Sequence, residues 1–315
     1  MIFAVIGTGA VGGYFGVRLH EAGHTVHFLA RGSHLKEIQN KGLHLKSISG
    51  DYHAKNIEAF DQIEKIGPVD VVLVAVKAWQ VKEIAEQLLP LAKSETFFVP
   101  LQNGVEAHAQ LSSILGKDRV LGGLCGLIAF LEKPGVIQHV GADPFLTFGE
   151  QNKKFSKRTK DLEKSLSNCR GLTGRLSDDI EKSVWEKFLL ISAFSGVGGV
   201  TRMPIGIIRS IPETRKMLDD ALREVADVAN SRGIDLNENI LKKTWQFFDT
   251  LPPQGTASMQ RDLIEGKPSE LESQTGVIVR YGKQSKIPTP INSFIYNTLL
   301  PSEKIVRGEL DLPDV

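Results

Sequence analysis

Two stretches of this sequence carry residue types and spacings that could do chemistry. The first is Gly7-Thr8-Gly9-Ala10-Val11-Gly12, a Gly-x-Gly-x-x-Gly series near the N-terminus. Glycines at these intervals suit a polyphosphate. Gly7 permits a tight turn, Gly9 keeps side chains away from an approaching diphosphate, and Gly12 allows a helix to pack closely on a strand. The second is Lys187, three residues after Val184 and four before Ile191, on an otherwise apolar helical stripe. Such a lysine either carries its ammonium to water along its stem or faces a cleft. In a cleft, partial desolvation lowers its pKa and makes it a proton donor near neutrality. A carboxylate would steady it, and Glu270 is one candidate among several; Ser258 and Asp262, spaced i, i+4, share a helix face.

These groups need elements to position them. Residues 2–6 read as a buried strand that runs straight into the glycine series and then into a helical pattern ending at Gly23, a C-cap. That context places a dinucleotide diphosphate on Gly7, Thr8, Gly9, Ala10, Val11 and Gly12, at the positive end of the helix dipole. A second strand, residues 25–30, stops at Arg31, which is followed by Gly32 and Ser33 with no carboxylate nearby. An arginine there accommodates the 2′-phosphate of NADP, where an acidic residue would hold the 2′-hydroxyl of NAD, so the expected cofactor is NADPH. The β-branched run 69–76, apolar but for Asp70, ends in Lys77-Ala-Trp-Gln80, and a strand over 96–101 ends in Gln102-Asn103-Gly104. Ligands of open α/β sheets bind beyond the carboxyl ends of the strands, which puts Lys77 and Asn103 at the same cofactor site.

Residues 42–59 read as a short hairpin insertion around Ser49-Gly50-Asp51, and residues 120–129 and 144–148 as further strands flanking Pro134-Gly135. The basic run 153–160 reads as the wet face of a helix. From Ser177 the pattern turns helical: 180–194, a break at the glycine-rich Ser195-Gly-Val-Gly-Gly199, then 213–232, 238–248, 258–264 and 270–281. The expected architecture is α/β. A Rossmann-type doubly wound sheet occupies residues 1–176, and an all-α domain occupies residues 177–315.

At 315 residues the chain has room for two domains and a sizeable core. Its 38 basic and 37 acidic residues leave a charge of +1, so no global field favours nucleic acid or an anionic membrane surface. No apolar run approaches the ~20 residues that span a bilayer. Cys125 and Cys169 lack C-x-x-C spacing and the N-terminus lacks the organisation of a signal peptide. A cytoplasmic, reducing setting and no metal are therefore expected.

The order Gly7-Thr-Gly-Ala-Val-Gly12, Arg31, Lys77-Ala-Trp-Gln80, Asn103-Gly104, Trp185-Glu-Lys187, Ser258-Met-x-x-Asp262 and Glu270 resembles the ketopantoate reductase (2-dehydropantoate 2-reductase) family over almost the whole chain. The tail Lys286-Ile-Pro-Thr-Pro-Ile-Asn292 does so too. The resemblance implies an NADPH-binding Rossmann domain, a helical domain that closes a cleft, and reduction of 2-dehydropantoate to pantoate for coenzyme A synthesis. It further implies that Lys187 is the general acid, that Asn103 lies between nicotinamide and substrate, and that Ser258 contacts the substrate carboxylate. Glu270 would be the carboxylate beside the catalytic site, and Ala129 a cofactor-side alanine. The family usually carries asparagines four and eight residues after its lysine; this chain has Ile191 and Ser195. A second reading is therefore an NADPH-dependent reductase of another branched 2-oxo acid. A third is a non-catalytic NADP-binding sensor, against which the joint presence of Lys187 and Glu270 speaks. A homodimer through the helical domain is compatible with the sequence, although no periodicity demands it.

Overall fold

In the computed structural model, which describes residues 1–311, the chain forms two units by contact: residues 1–102 with 106–183, and residues 103–105 with 184–311. The strands are β1 (Ile2–Ile6), β2 (Thr25–Leu29), β3 (Leu43–Ser47), β4 (Tyr52–Ala54), β5 (Glu58–Phe60), β6 (Val71–Val74), β7 (Phe97–Pro100), β8 (Gly122–Lys133), β9 (Val136–Gly149) and β10 (Thr173–Leu176). The helices of the first unit are α1 (Ala10–Glu21), α2 (Gly32–Lys41), α3 (Val81–Ala85), α4 (Ala107–Leu115) and α5 (Lys157–Ser167).

Five strands form a parallel sheet in the order β5-β2-β1-β6-β7. Its strands alternate between two cores: Phe3, Val5, Val71, Leu73, Phe97 and Val99 join one, while Ala4, Ile6, Val72, Val74 and Phe98 join the other with α3 and α4. Both faces are covered, which is why the strands read as continuous apolar runs. Strand order reverses direction between β1 and β6, the switch point at which such sheets take their ligands.

The expected hairpin insertion at 42–59 is not an appendage. β3 and β4 do pair antiparallel, but β3 also pairs in parallel with β9, in a second sheet ordered β10-β9-β3-β4 with β8 alongside β9. α1 packs against strands of both sheets, with Gly13 facing Ile137 of β9 and Gly16 facing Phe28 of β2. Residues 12–19 are accordingly buried all round. α2 lies outside the expected elements, because its short apolar pair Leu35 and Ile38 is a weak periodic signal.

The remaining helices are α6 (Ile180–Thr201), α7 (Ile205–Ser210), α8 (Pro212–Ser231), α9 (Glu238–Thr250), α10 (Ser258–Ile264), α11 (Val277–Ser285) and α12 (Pro290–Val306). Two expectations change here. The glycine-rich stretch 195–199 does not end α6, which continues to Thr201. Packing explains this: a Cβ at Gly198 would stand 2.5 Å from the Gln260 side chain, and one at Gly196 would stand 3.1 Å from Ile295. The glycines are spent on helix-to-helix approach, and tertiary contact overrides their low helix propensity. The expected helix 270–281 contains a π-helical turn, Glu272–Gly276, before α11 begins. By contact the first unit runs to Ser183 and so takes in the first turn of α6. There Ile180 fills the space beside Gly122 and Gly149.

Candidate active site

The glycine turn is held by two residues that tolerate no side chain. Gly7 has φ +100, and a Cβ there would stand 2.9 Å from the Ala75 and Val76 backbone; a Cβ at Gly12 would meet the Gly7 carbonyl at 2.2 Å. Those two glycines are required by the fold itself. Gly9 is different, since a Cβ there would meet nothing within 4 Å and its φ of −81 is ordinary. It is the N-cap of α1 and brings no side-chain cap, so the first-turn amides of that helix are presented to whatever binds. The residues present therefore fit a diphosphate.

Thr8, expected among the cofactor contacts, is 3% exposed and turned inward. Its N–H and its hydroxyl both donate to the Leu29 carbonyl, at 3.0 and 2.8 Å. It ties the turn to the end of β2. Two residues later Arg31 is exposed at the N-cap of α2, open to a phosphate beyond that strand end. His34, which the sequence reading missed, braces the same loop. The Gly135 N–H donates to its Nδ1 at 2.9 Å, so its Nε2–H donates to the Thr8 carbonyl at 2.7 Å. The ring is neutral, its pKa lowered by burial against the opposing effect of the Thr8 bond. Its position three residues after Arg31 was the available signal. Lys77 is exposed after β6, its Nζ 5.7 Å from the Trp79 ring centre. The neighbouring Gln102 clamps that strand end, donating from Nε2 to the Val74 and Val76 carbonyls at 2.8 and 2.9 Å. Ala129 lies in β8 opposite His139, beside a register shift, and packs on the first unit's core.

Within the second unit, Lys187 donates from Nζ to Asn103 Oδ1 at 2.8 Å. The lysine is half-buried on α6, a helix on which Val184, Phe188 and Leu189 are buried. One turn on, Ile191 is half-buried; two turns on, Ser195 is fully buried, and its Oγ has no hydrogen-bond partner among the described residues. Glu270 is buried at 7% exposure, and its Oε2 accepts from Gln274 Nε2 at 3.3 Å. Ser258 is the first residue of α10, half-buried on the same face as Asp262. Buried Gln260 positions α10 by donating to the Met203 carbonyl at 3.0 Å.

His20-Glu-Ala-Gly-His24 has the H-E-x-x-H spacing of a zinc helix, a match that the sequence reading overlooked. The fold takes it apart. α1 ends at Glu21, Gly23 turns at φ +86, and Glu21 is taken by Arg18 at 2.6 Å and Arg170 at 2.5 Å. Among the described residues no group of three or more His, Cys, Asp or Glu could hold a metal ion, and no helix is long and apolar enough to cross a membrane.

Comparison with known proteins gives the same frame. A Bacillus subtilis (strain 168) protein named Uncharacterized oxidoreductase YkpB is 29% identical over 95% of this chain and 98% of its own length. The crystal structure of a 2-dehydropantoate 2-reductase from Geobacter metallireducens GS-15 superposes with TM-score 0.89 at 28% identity, covering 96% of this chain and all of that one. A D-mandelate dehydrogenase, solved as a ternary structure with NADH and anilino(oxo)acetate, shares the fold with TM-score 0.88 at 23% identity, over 98% and 100% of the two chains. The family model described as Ketopantoate reductase PanE/ApbA matches residues 3–153, and that described as its C terminal matches residues 179–303. With both halves matched, the chain belongs to the ketopantoate reductase family, NADPH-using oxidoreductases that act on a 2-oxo/2-hydroxy acid pair.

Proposed function

We propose that this enzyme reduces the 2-oxo group of 2-dehydropantoate to give pantoate, with NADPH as cofactor. The observation that carries the reading is the 2.8 Å bond between Lys187 and Asn103, which holds a proton donor against the amide that follows β7. When bound, the cofactor supplies a hydride. The chain's own residues supply the rest. Gly7 to Gly12 and the first turn of α1 take the diphosphate, Arg31 the 2′-phosphate, and Lys77 and Ala129 further cofactor contacts. Ser258 orients the substrate carboxylate, and Lys187 gives its Nζ proton to the carbonyl oxygen as C2 is reduced. Glu270 balances the lysine's charge. General acid catalysis of this kind contributes roughly 10²- to 10⁴-fold. A homodimer through the helical unit is part of the same proposal and is read from molar mass in light scattering.

A second reading keeps the reaction and changes the acid. Ile191 offers no hydrogen bond and the Ser195 hydroxyl is sealed in the interior, where the family usually has two asparagines. A pocket so altered suits another branched 2-oxo acid with fewer or differently placed hydroxyls. NADPH oxidation with 2-dehydropantoate and with a panel of branched 2-oxo acids decides between them. The highest kcat/KM on 2-dehydropantoate supports the first reading, and a clear preference for a less polar acid supports the second.

A further inference from the structure

Glu270 sits at the start of a segment whose hydrogen bonding exceeds what packing alone requires. On one side lies Gln274, one turn later, wholly buried, donating Nε2 to Glu270 Oε2 at 3.3 Å. Its Oε1 has no partner among the described residues. A buried amide with one end unsatisfied is a poor filler, because an apolar side chain of the same length would occupy the space without losing a hydrogen bond to water. The bond to the Glu270 carboxylate is the evident use of this glutamine. The π-helical turn Glu272–Gly276 surrounds it, and such turns recur at functional sites. Residues 274–278 are buried in succession, whereas Glu272 turns outward to Arg280 and to the Tyr296 hydroxyl.

On the other side the backbone is clamped. Ser269 donates its N–H and its hydroxyl to the buried carboxylate of Glu303 on α12, at 3.0 and 2.6 Å. Arg307, the residue that caps α12, donates to Glu303 at 2.6 Å and to the Ser269 carbonyl at 2.7 Å. α12 is itself anchored, because buried Glu224 of α8 accepts from the Ile291 and Asn292 amides at 2.7 and 2.9 Å.

We infer that Gln274 and the Glu303–Arg307 pair are positioning residues that hold Glu270, its carboxylate from one side and its backbone from the other, in the geometry that turnover needs. The inference rests on the reading of Glu270 as the carboxylate of the site. Gln274→Met, which keeps length and loses the donor, tests it alongside Glu270→Gln, with NADPH oxidation measured on the acid that wild type turns over fastest. Expected for Gln274→Met is a kcat lower by about tenfold, the scale of a hydrogen bond to a charged group. The KM for NADPH and the melting temperature should stay close to wild type. Wild-type kcat in Gln274→Met with loss in Glu270→Gln would overturn the positioning role alone. So would a kcat loss that merely tracks a fall in folded fraction. Wild-type kcat in Glu270→Gln would overturn the reading of Glu270 itself. Should Gln274→Met fail to fold, Gln274→Asn, one methylene short of the carboxylate, carries the same test with the same outcomes.

Discussion

The Lys187 ammonium donates to the Asn103 amide oxygen across 2.8 Å, joining the middle of α6 to a residue 84 positions earlier. An ammonium has only donors, so the amide must present its oxygen to it and turn Nδ2 the other way. The pair thus fixes both the lysine's reach and the orientation of the amide. Lys187→Ala is expected to lower kcat by roughly 10²- to 10⁴-fold with the Kd for NADPH largely kept. Asn103→Leu should cost about tenfold in kcat, since the lysine stays but loses its brace. Steady-state kinetics with fluorescence titration of NADPH checks both. Unchanged turnover in Lys187→Ala would remove the lysine from the mechanism.

Arg31 stands exposed at the N-cap of α2, just past the strand end that Thr8 ties to the glycine turn. Replacing it with Ala should raise the KM for NADPH by about tenfold or more and leave NADH nearly unaffected, because only NADPH carries the 2′-phosphate. Equal effects on both cofactors would sink the assignment.

Gly9 and Gly12 separate binding from folding. Gly9→Ala meets no protein atom, so its melting temperature should match wild type while NADPH affinity drops. Gly12→Ala drives a methyl to 2.2 Å from the Gly7 carbonyl, and neither backbone can move far. Its expected cost is about 3 kcal/mol of stability, the upper part of the usual range for overpacking. Calorimetry together with isothermal titration distinguishes the two; a destabilised Gly9→Ala would contradict this division of labour.

Gly198 lets α10 approach α6. A Cβ there falls 2.5 Å from Gln260 Oε1, and Gln260 is buried and already bonded to Met203 and Ala257. Gly198→Ala should lower stability by about 1 to 3 kcal/mol in urea denaturation. Because Ser258 opens α10, the KM for the 2-oxo acid should rise as well. A change in stability with no change in KM would detach Ser258 from the substrate.

Burial pushes the Cys169 thiol up to about 11. It should resist alkylation at pH 8 in the native protein and react once the chain unfolds in guanidinium. The folded-state value lies above the unfolded one. The stabilising effect is therefore complete below the unfolded thiol pKa, about 8.5, and fades as pH rises towards 11. Rapid labelling of native enzyme at pH 8 would show the site to be open.

Several features were legible in the chain because their signals are local. The run into Gly7-x-Gly9-x-x-Gly12 specifies strand, turn and helix within twenty-odd residues, and β1 and α1 form there. α8 begins at Pro212 and ends shortly before Gly233, and α10 ends shortly before Gly266, so proline and glycine mark these termini. Lys187 was conspicuous as a charge on an apolar stripe.

Tertiary structure decided what depends on partners distant in sequence. The residues 195–199 contain three glycines, a local signal for a break. They remain helical because Gln260, Ile295 and Leu299 fill the space that side chains would have taken. The pairing of β3 with β9, across more than ninety residues, turned an expected insertion into a second sheet enclosing α1. Gln274 and Glu303 have ordinary surroundings in sequence and gain meaning only where α12 meets the segment before α11. Short-range periodicity states which face of an element is apolar, and it is silent about what that face will meet. Close packing and the pairing of buried polar groups are properties of the assembled chain.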